Sequence, residues 1–590
     1  MGRESGGRVR FQRVRLERLK VRKGHFQGVS ATLFVTAVAL LVAAKISASE
    51  PRTVAKRPNI LLLVAEDMSS RVGAFGDPVA RTPNLDRLAR QGTRYSHTFT
   101  TAGVCAPSRA ALLTGMHAIS IGGQHMRTSS RPAGAYVAVP SDDVKAFPEI
   151  LRRAGYYTFT DAKLDYQFSG VSAGSGPSTI WDEEWAELPW LVESDWQTPF
   201  FGLINFQVTH ETGVFTPLGR GWPNSLMHFI VQLGRAWLFG IPEANQPVRS
   251  EDVEIPPYYV DSQVVREDLA RHYNNIYEMD RQVGEILDEV EKAGLSDSTI
   301  VVWTTDHGDG LPRAKRELYD SGLRVPMIIR WPARFRPEGS TPGMIEERLI
   351  SFVDLAPTIL AWAGLAKPMN MQGSDFTAIN SDPREYVYAS RDRIDEYEDR
   401  ERAVRDHEYK YIRSWYPDKP TGHRLAFRDN LEMMNEMWTL LEAGNLNLEQ
   451  RLWFEPTGLE RLYHISTDPF ELRNLADDPG HEQGVTRMRR AYEAFAERVA
   501  DWSEESEASM VARMWPEGAQ PQTQAPSIER RSGRVSLRSE TEGASIAYWI
   551  DDGKEQIYTE PFEAEPGSRI TARAIRYGYG ESEESSKSLP

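Results

Sequence analysis

The only cysteine of this 590-residue chain is Cys105, in the run Val104-Cys105-Ala106-Pro107-Ser108-Arg109-Ala110-Ala111-Leu112-Leu113-Thr114-Gly115. One cysteine excludes any intrachain disulfide, and a lone cysteine is by default a small buried hydrophobe. Elsewhere, Glu66-Asp67 and Asp306-His307 each follow an apolar run. Carboxylates at several strand ends suit a hard divalent cation, and His307 adds a nitrogen that leaves magnesium or another metal open. Asp268 and His272 stand at i,i+4 and could supply a second metal if their helix turned that face to the site, although a surface pair is the simpler reading.

The elements that must position these groups read as α/β. Asn59 to Ala65 is a short continuous apolar run, as expected of a strand buried on both faces. Pro199 to Phe206 and Ile300-Val301-Val302-Trp303 repeat the pattern. Asn84 to Gln91 reads as a helix capped by Gly92, and Asp268 to Lys292 has helical periodicity. Strands alternating with helices predict a mostly parallel sheet covered on both faces. In such sheets, sites form beyond the carboxyl ends of the strands, so Glu66-Asp67 and Asp306-His307 can face one crevice.

The segment around Cys105 resembles the signature of the sulfatase family, Cys-x-Pro-x-Arg followed by Leu-Thr-Gly, and the match is complete. The resemblance implies an alkaline-phosphatase-like fold. It implies that Cys105 is oxidised to formylglycine by a maturing enzyme, and that the hydrated aldehyde attacks sulfur. A helix starting near Ser108 would aim its N–H groups at a bound sulfate, and Arg109 could hold the oxygens of the nucleophile. Glu66, Asp67, Asp306 and His307, with Cys105, match the family's metal positions, and the resemblance implies calcium. Lys163 lies in a stretch resembling the family's Gly-Tyr…Lys-x-His element, with Asp165 where His is common. His210 matches the residue that protonates the leaving group. Lys315 precedes Tyr319-Asp320-Ser321-Gly322-Leu323-Arg324-Val325-Pro326, which resembles another family stretch. His117, His125 and Arg127, downstream of the nucleophile, are further candidates for the substrate pocket, together with Asp165. The order of elements is most similar to the heparan N-sulfatase branch and to bacterial polysaccharide sulfatases. The implied substrate is a sulfated carbohydrate.

Composition sets the remaining bounds. A chain of this length exceeds one core, and 40% apolar residues with 15 Trp suit a packed globular protein. A net charge of −15 argues against nucleic-acid partners. Residues 1–28 carry nine Lys/Arg, then Val29 to Ala44 is apolar and Ser47-Ala48-Ser49 is small. This is the order of a secretory signal over 1–49, predicting a secreted or periplasmic protein, with a retained membrane anchor as the alternative. A catalytic domain is expected over 57–374 and a smaller subdomain over 375–515. A Pro/Gln linker follows over 516–526, then a small β-sandwich over 527–590. The last segment resembles the β domain appended to bacterial chitobiases and hexosaminidases, and reads as a separable accessory. Two rival readings are a two-metal phosphodiesterase or phosphomonoesterase on the same fold, and a carbohydrate-binding surface protein without activity.

Overall fold

The computed structural model describes residues 57–126, 134–161, 163–184, 198–218, 220, 226–238, 240–241, 245–379 and 381–590. The predicted leader and the alternative anchor, both within 1–49, and Arg127 lie outside these residues. No described helix is long and apolar enough to cross a membrane.

Strand β1 (Asn59–Ala65) is wholly buried. Its residues alternate between two cores: Leu61 and Leu63 enter one cluster, and Ile60, Leu62 and Val64 enter the other. The alternation of side chains along a strand, with apolar partners on both faces, accounts for the unbroken apolar run. Further strands are β2 (Thr93–Phe99), β3 (Tyr157–Thr160), β4 (Phe200–Phe206), β5 (Thr299–Thr305) and β6 (Arg324–Arg330). With two short strands, β7 (Ile345–Glu346) and β8 (Ile350–Ser351), they form one sheet in the order β3-β4-β1-β5-β6-β2-β7, with β8 also paired to β2. The β3, β4, β1 and β5 strands run parallel, and β6 is antiparallel to both β5 and β2. In register, Ala65 pairs with both Phe206 and Thr305, so β1, β4 and β5 end at one level.

Helices α1 (Pro83–Gln91), α2 (Cys105–Thr114), α3 (Phe147–Arg153), α4 (Leu226–Leu238) and α5 (Gln263–Lys292) follow in chain order. Gly92 ends α1, but with φ −120° it is extended and not a left-handed cap. Its glycine has another cause: a Cβ there would collide with the backbone of Ile329 on β6. The α5 helix begins earlier than expected, at Gln263, because the Ser262 side chain accepts from Val265 N and caps it.

A second sheet is antiparallel and holds Val387–Arg391, Glu401–Arg405, Tyr409–Ser414 and Glu460–His464. Residues from Ser527 onward form two further sheets of three and four strands, with their own apolar cluster around Val535, Ile570 and Ala572. This C-terminal segment is not set apart by its Pro/Gln stretch. Tyr577 is fully buried within the apolar cluster of the large sheet, stacked on Phe168 at 5.0 Å. Its hydroxyl donates to Glu149 Oε2 at 2.7 Å. Glu149 lies on α3, is buried, and also accepts from Thr179 at 2.9 Å and from Ser545 of the sandwich. A buried carboxylate must be hydrogen-bonded, so the sandwich completes a site that the large unit leaves open. The expected boundary before Ser527 is therefore crossed by buried contacts to the large unit.

Replacing Tyr577 by Phe should destabilise the whole chain by about 1–3 kcal/mol, because it leaves a buried acceptor on α3 under-satisfied. Chemical denaturation monitored by tryptophan fluorescence checks this. A transition of the catalytic unit unchanged from wild type would mean that the contact contributes nothing.

Candidate active site

The parallel half of the sheet delivers its acidic residues to one edge. Glu66 and Asp67 leave β1, and Asp306 and His307 leave β5 beside them. The two strand ends are tied together: Asp306 N donates to Ala65 O at 3.0 Å, and Asp67 N donates to Asp306 Oδ1 at 3.1 Å. Asp67 has φ 51°, a left-handed conformation that costs a non-glycine residue about 1–3 kcal/mol. Gly310 N and Glu211 N hold it there, on Asp67 O at 2.8 Å and Oδ2 at 2.7 Å.

Helix α2 begins at Cys105, one turn earlier than expected, with Pro107 in its first turn where a missing N–H is harmless. The helix is buried throughout. Ser108 Oγ donates to Asp306 O at 2.5 Å, which fastens the helix start to the end of β5. The Cys105 Sγ thereby lies 3.3 Å from His307 Nε2 and 3.8 Å from Asp67 Oδ1. Arg109, one turn on, donates from Nε to Asp306 Oδ2 at 3.1 Å and from Nη1 to Asn205 Oδ1 at 2.5 Å.

Two lysines flank the carboxylates. Lys163 Nζ meets Glu66 Oε2 at 2.6 Å. Lys315 Nζ meets Asp67 Oδ2 at 2.6 Å and Glu211 Oε1 at 2.7 Å. His210 Nε2 lies 3.4 Å from Lys315 Nζ and 3.9 Å from Asp67 Oδ2, while its Nδ1 meets the Thr212 hydroxyl at 3.0 Å. Cys105, Arg109, Lys163, His210 and Lys315 thus gather in one place with Glu66, Asp67, Asp306 and His307. Asp165 is buried nearby, with φ 61°, and its charge acts on both Lys163 and Arg109.

The electrostatics follow from this crowding. Burial opposes every charge here, yet Lys315 and His307 hold the Asp67 carboxyl well below its usual range. Burial likewise opposes ionisation of Asp306, but His307, Arg109 and Lys163 hold it at about 2. Burial pulls His307 down, but Asp306, Cys105 and Asp67 push it up to about 10. His210 is driven well below its ordinary value by burial and by Lys315, so its imidazole is neutral.

Other expected residues lie elsewhere. His117 packs edge-on against Phe495 at 4.9 Å, and burial beside Arg384 lowers it to about 3. His125 Nδ1 meets the Tyr136 hydroxyl at 2.7 Å and Glu507 Oε1 at 3.3 Å. Both contact groups outside the Cys105 cluster. Asp268 and His272 diverge: Asp268 accepts from Met433 N at 2.8 Å, and His272 Nε2 meets Asp309 Oδ1 at 3.1 Å. Neither belongs to a cluster of metal-ligating atoms among the described residues. Sequence reasoning missed Asn205, Glu211 and Arg316. Asn205 is a polar residue inside the apolar run of β4, which was a legible signal. It also donates to Asp161 Oδ1 at 2.5 Å, so it fixes Arg109 from a strand. Glu211 is gripped by both Nη atoms of Arg316 at 2.9 Å and in turn holds Lys315, contacts that only folding reveals.

The donor set fits a divalent cation. Ligand atoms of Asp67, Cys105, Asp306 and His307 lie within 4.8 Å of one another, as do those of Glu66, Asp67, Cys105 and His210. Glu66 Oε1 is buried without a hydrogen-bond partner, and Arg109 Nη2 likewise. The two form only a loose ion pair at 3.9 Å, and a cation on the oxygen with an oxyanion on the guanidinium would satisfy both more fully. Without a cation, His307 carries the offsetting charge. Its folded value lies above the unfolded one of about 6.5, so its stabilising effect is complete below pH ~6.5 and is lost as pH rises toward 10. A metal needs the unprotonated imidazole, so binding should release a proton and tighten with pH. Thermal unfolding with and without calcium should therefore show a larger shift near pH ~9 than near pH ~6.5. A pH-independent shift would remove His307 from the ligand set.

A family model described as Sulfatase matches residues 58–365, and one described as N-sulphoglucosamine sulphohydrolase, C-terminal, matches residues 313–442. An ulvan-active sulfatase of Formosa agariphila is 38% identical over 548 residues, covering 89% of this chain and 90% of that protein. The N-sulphoglucosamine sulphohydrolase of Homo sapiens is 25% identical over 519 residues, covering 79% of this chain and 93% of that protein. Among solved structures, a 2-O GAG sulfatase shares the fold with a TM-score of 0.54 at 19% identity, covering 76% of this chain and 94% of that one. A protein solved with its substrate D-glucosamine-2-N,6-O-disulfate matches with a TM-score of 0.52 at 18% identity, covering 76% of this chain and 99% of that one. Sulfatases as a family use a formylglycine and a divalent metal, and the acidic edge beside Cys105 is suited to both. With a family model over more than half of its residues and a 38% identical relative along nearly its whole length, the chain belongs to the sulfatase family and is a sulfuric ester hydrolase.

Proposed function

We propose that this enzyme removes sulfate, as an ester or a sulfamate, from a sulfated polysaccharide or its fragments, outside the cytoplasm. The observation that carries the reading is the convergence of Cys105, Arg109, Lys163, His210 and Lys315 on one buried carboxylate cluster. The relatives named for ulvan and for N-sulphoglucosamine support a carbohydrate substrate. The basic leader and apolar run before residue 50 support export. Among the described residues both groups of ligand atoms share Asp67 and Cys105 and neither includes Asp268 or His272, so a two-metal phosphoesterase is the weaker reading.

Once a maturing enzyme has oxidised Cys105, the hydrated aldehyde supplies an oxygen nucleophile and a second hydroxyl whose deprotonation frees the sulfate. Calcium, held by Glu66, Asp67, Asp306 and His307, would supply positive charge at the sulfate oxygens and the nucleophile. The remaining work falls to side chains. Arg109, held by Asp306 and Asn205, orients the group at residue 105. Lys163 and Lys315 stand on opposite carboxylates and can move their charge to an incoming sulfate. His210 is held by Thr212 with its Nε2 toward Lys315 and Asp67. A bound sulfate would raise its proton affinity, so it can pass a proton to the departing sugar oxygen or nitrogen.

Asp165 replaces the histidine common at its position. At short range an unscreened carboxylate would repel a sulfate by about 4 kcal/mol at an intermediate dielectric, so Lys163 and Arg109 must offset it. We assign Asp165 to orienting Lys163 or to a sugar hydroxyl or amine.

Two measurements test this reading. Incubation with sulfated glycan fragments should release inorganic sulfate, and Cys105→Ala should abolish it by a factor of at least about 10³. Peptide mass spectrometry of enzyme from its native host should find residue 105 as the aldehyde, and active enzyme with an unmodified thiol would refute it. Asp165→Asn should lower turnover or change substrate preference while metal binding and residue 105 conversion persist. Unchanged kinetics across the panel would make Asp165 a structural carboxylate only.

A further inference from the structure

A cavity of about 320 Å3 with a mixed wall adjoins the loop that carries His210; Phe215, Leu218 and Ile241 form its apolar part, and Gln232, Arg235 and Asn275 its polar part beside Gly213. Among the described residues that line it there is no Asp or Glu. Gly213 follows His210 by three residues, so the cavity begins where the leaving-group side of the site ends. A Cβ at Gly213 would collide with Arg235 Nη2 and Asn275 Nδ2. The missing side chain thus leaves two donors, one of them cationic, side by side at the wall.

Arg235 is held firmly. Arg235 donates to Val208 O at 2.8 Å, to Thr212 Oγ1 at 3.0 Å and to Gln207 O at 3.2 Å. Gln232, on the same helix α4, donates to Thr212 O at 2.9 Å. These bonds lock the cavity wall to the His210 loop. Asn275, on α5, is 6% exposed, and its Nδ2 has no hydrogen-bond partner. A buried amide donor left unpaired is costly, so it marks a place for an acceptor. Burial also pulls Arg235 down to about 10, against the nearby Glu66 and Asp67 carboxylates, so an anion in the cavity would relieve it. Arg271 pairs with Asp268 and Glu432, while Arg235 and Asn275 meet at the Gly213 edge of the cavity.

We infer that this cavity is a second anion subsite, which takes a carboxylate or a further sulfate on the sugar next to the one cleaved at residue 105. The inference rests on the carbohydrate-sulfatase reading above. An oxyanion accepts from a guanidinium and a neighbouring amide at once, and neither group offers anything to an apolar ligand.

The test compares kcat/KM of the full enzyme on four substrates: a small aryl sulfate, a sulfated uronate-containing disaccharide, its carboxyl-reduced form, and its form lacking the second sulfate. Asn275→Asp sets a carboxylate against Arg235 at nearly constant volume. Gln246→Glu adds a negative charge at an exposed position of the same wall, where folding is not at risk. Each variant should lower the disaccharide-to-aryl-sulfate ratio of kcat/KM, about tenfold for Asn275→Asp and mainly through KM. In the wild type, the trimmed disaccharide that shows the same loss identifies which anion the cavity holds. Equal ratios in wild type and both variants would overturn the subsite and leave the sulfatase reading intact. Loss in the variants without loss on either trimmed disaccharide would overturn the anion assignment. Wild-type enzyme that cleaves none of the four would overturn the reading on which the subsite rests, and the subsite with it.

Discussion

Three carboxylates, those of Glu66, Asp67 and Asp306, are buried together at the ends of two neighbouring parallel strands. Like charges a few ångströms apart repel by several kcal/mol even at an intermediate dielectric, and these groups are all buried. Most of what surrounds them is an answer to that repulsion. Lys163 takes Glu66, Lys315 takes Asp67, Arg109 takes Asp306, and His307 holds a proton that a free histidine would release. The cost of gathering the charges is what makes the edge useful, since a divalent cation there would supply the positive charge that the side chains only approximate.

The scaffold is matched to that load. Parallel strands in register bring Ala65, Phe206 and Thr305 to one level, so the residues that follow them meet without long loops. Helix α2 is fastened by Ser108 to the end of β5, which sets Cys105 over the carboxylates. Left-handed backbone at Asp67, Asp165 and Arg316 shows where the chain gives up local comfort to aim a side chain. Hydrogen bonds from neighbouring loops hold each strained turn in place.

Support also comes from elements remote in sequence. Helix α4 grips the His210 loop through Arg235 and Gln232, and the same bonds shape the adjoining cavity. The C-terminal sandwich reaches the large sheet through Tyr577 and Ser545 on Glu149. Neither link touches the nucleophile, yet both limit how far the catalytic unit can relax.

Much of the site was legible because its residues are local in sequence or sit at strand ends. The Cys105 signature, the two acidic pairs and the apolar runs before them each declare themselves within a dozen residues. The strands β1, β4 and β5 were readable because burial on both faces demands unbroken apolar runs. What sequence could not supply was any pairing between distant segments. Lys163 with Glu66, and Arg316 with Glu211, join residues about a hundred positions apart, and nothing in either local stretch names its partner. His117 and His125 share the neighbourhood of Cys105 in sequence but turn to other partners in space, because the chain leaves the helix in a new direction after Gly115. The Pro/Gln stretch before Ser527 reads as a hinge, whereas docking runs through Ser545 and the buried Tyr577, which lie well beyond it in sequence. Sequence by itself determined the family, the α/β plan and the chemistry available, since these rest on residue type and short-range periodicity. Tertiary structure alone decided which charges meet, which histidines face the nucleophile and how the last domain is held, since these depend on distances closed only when the chain folds.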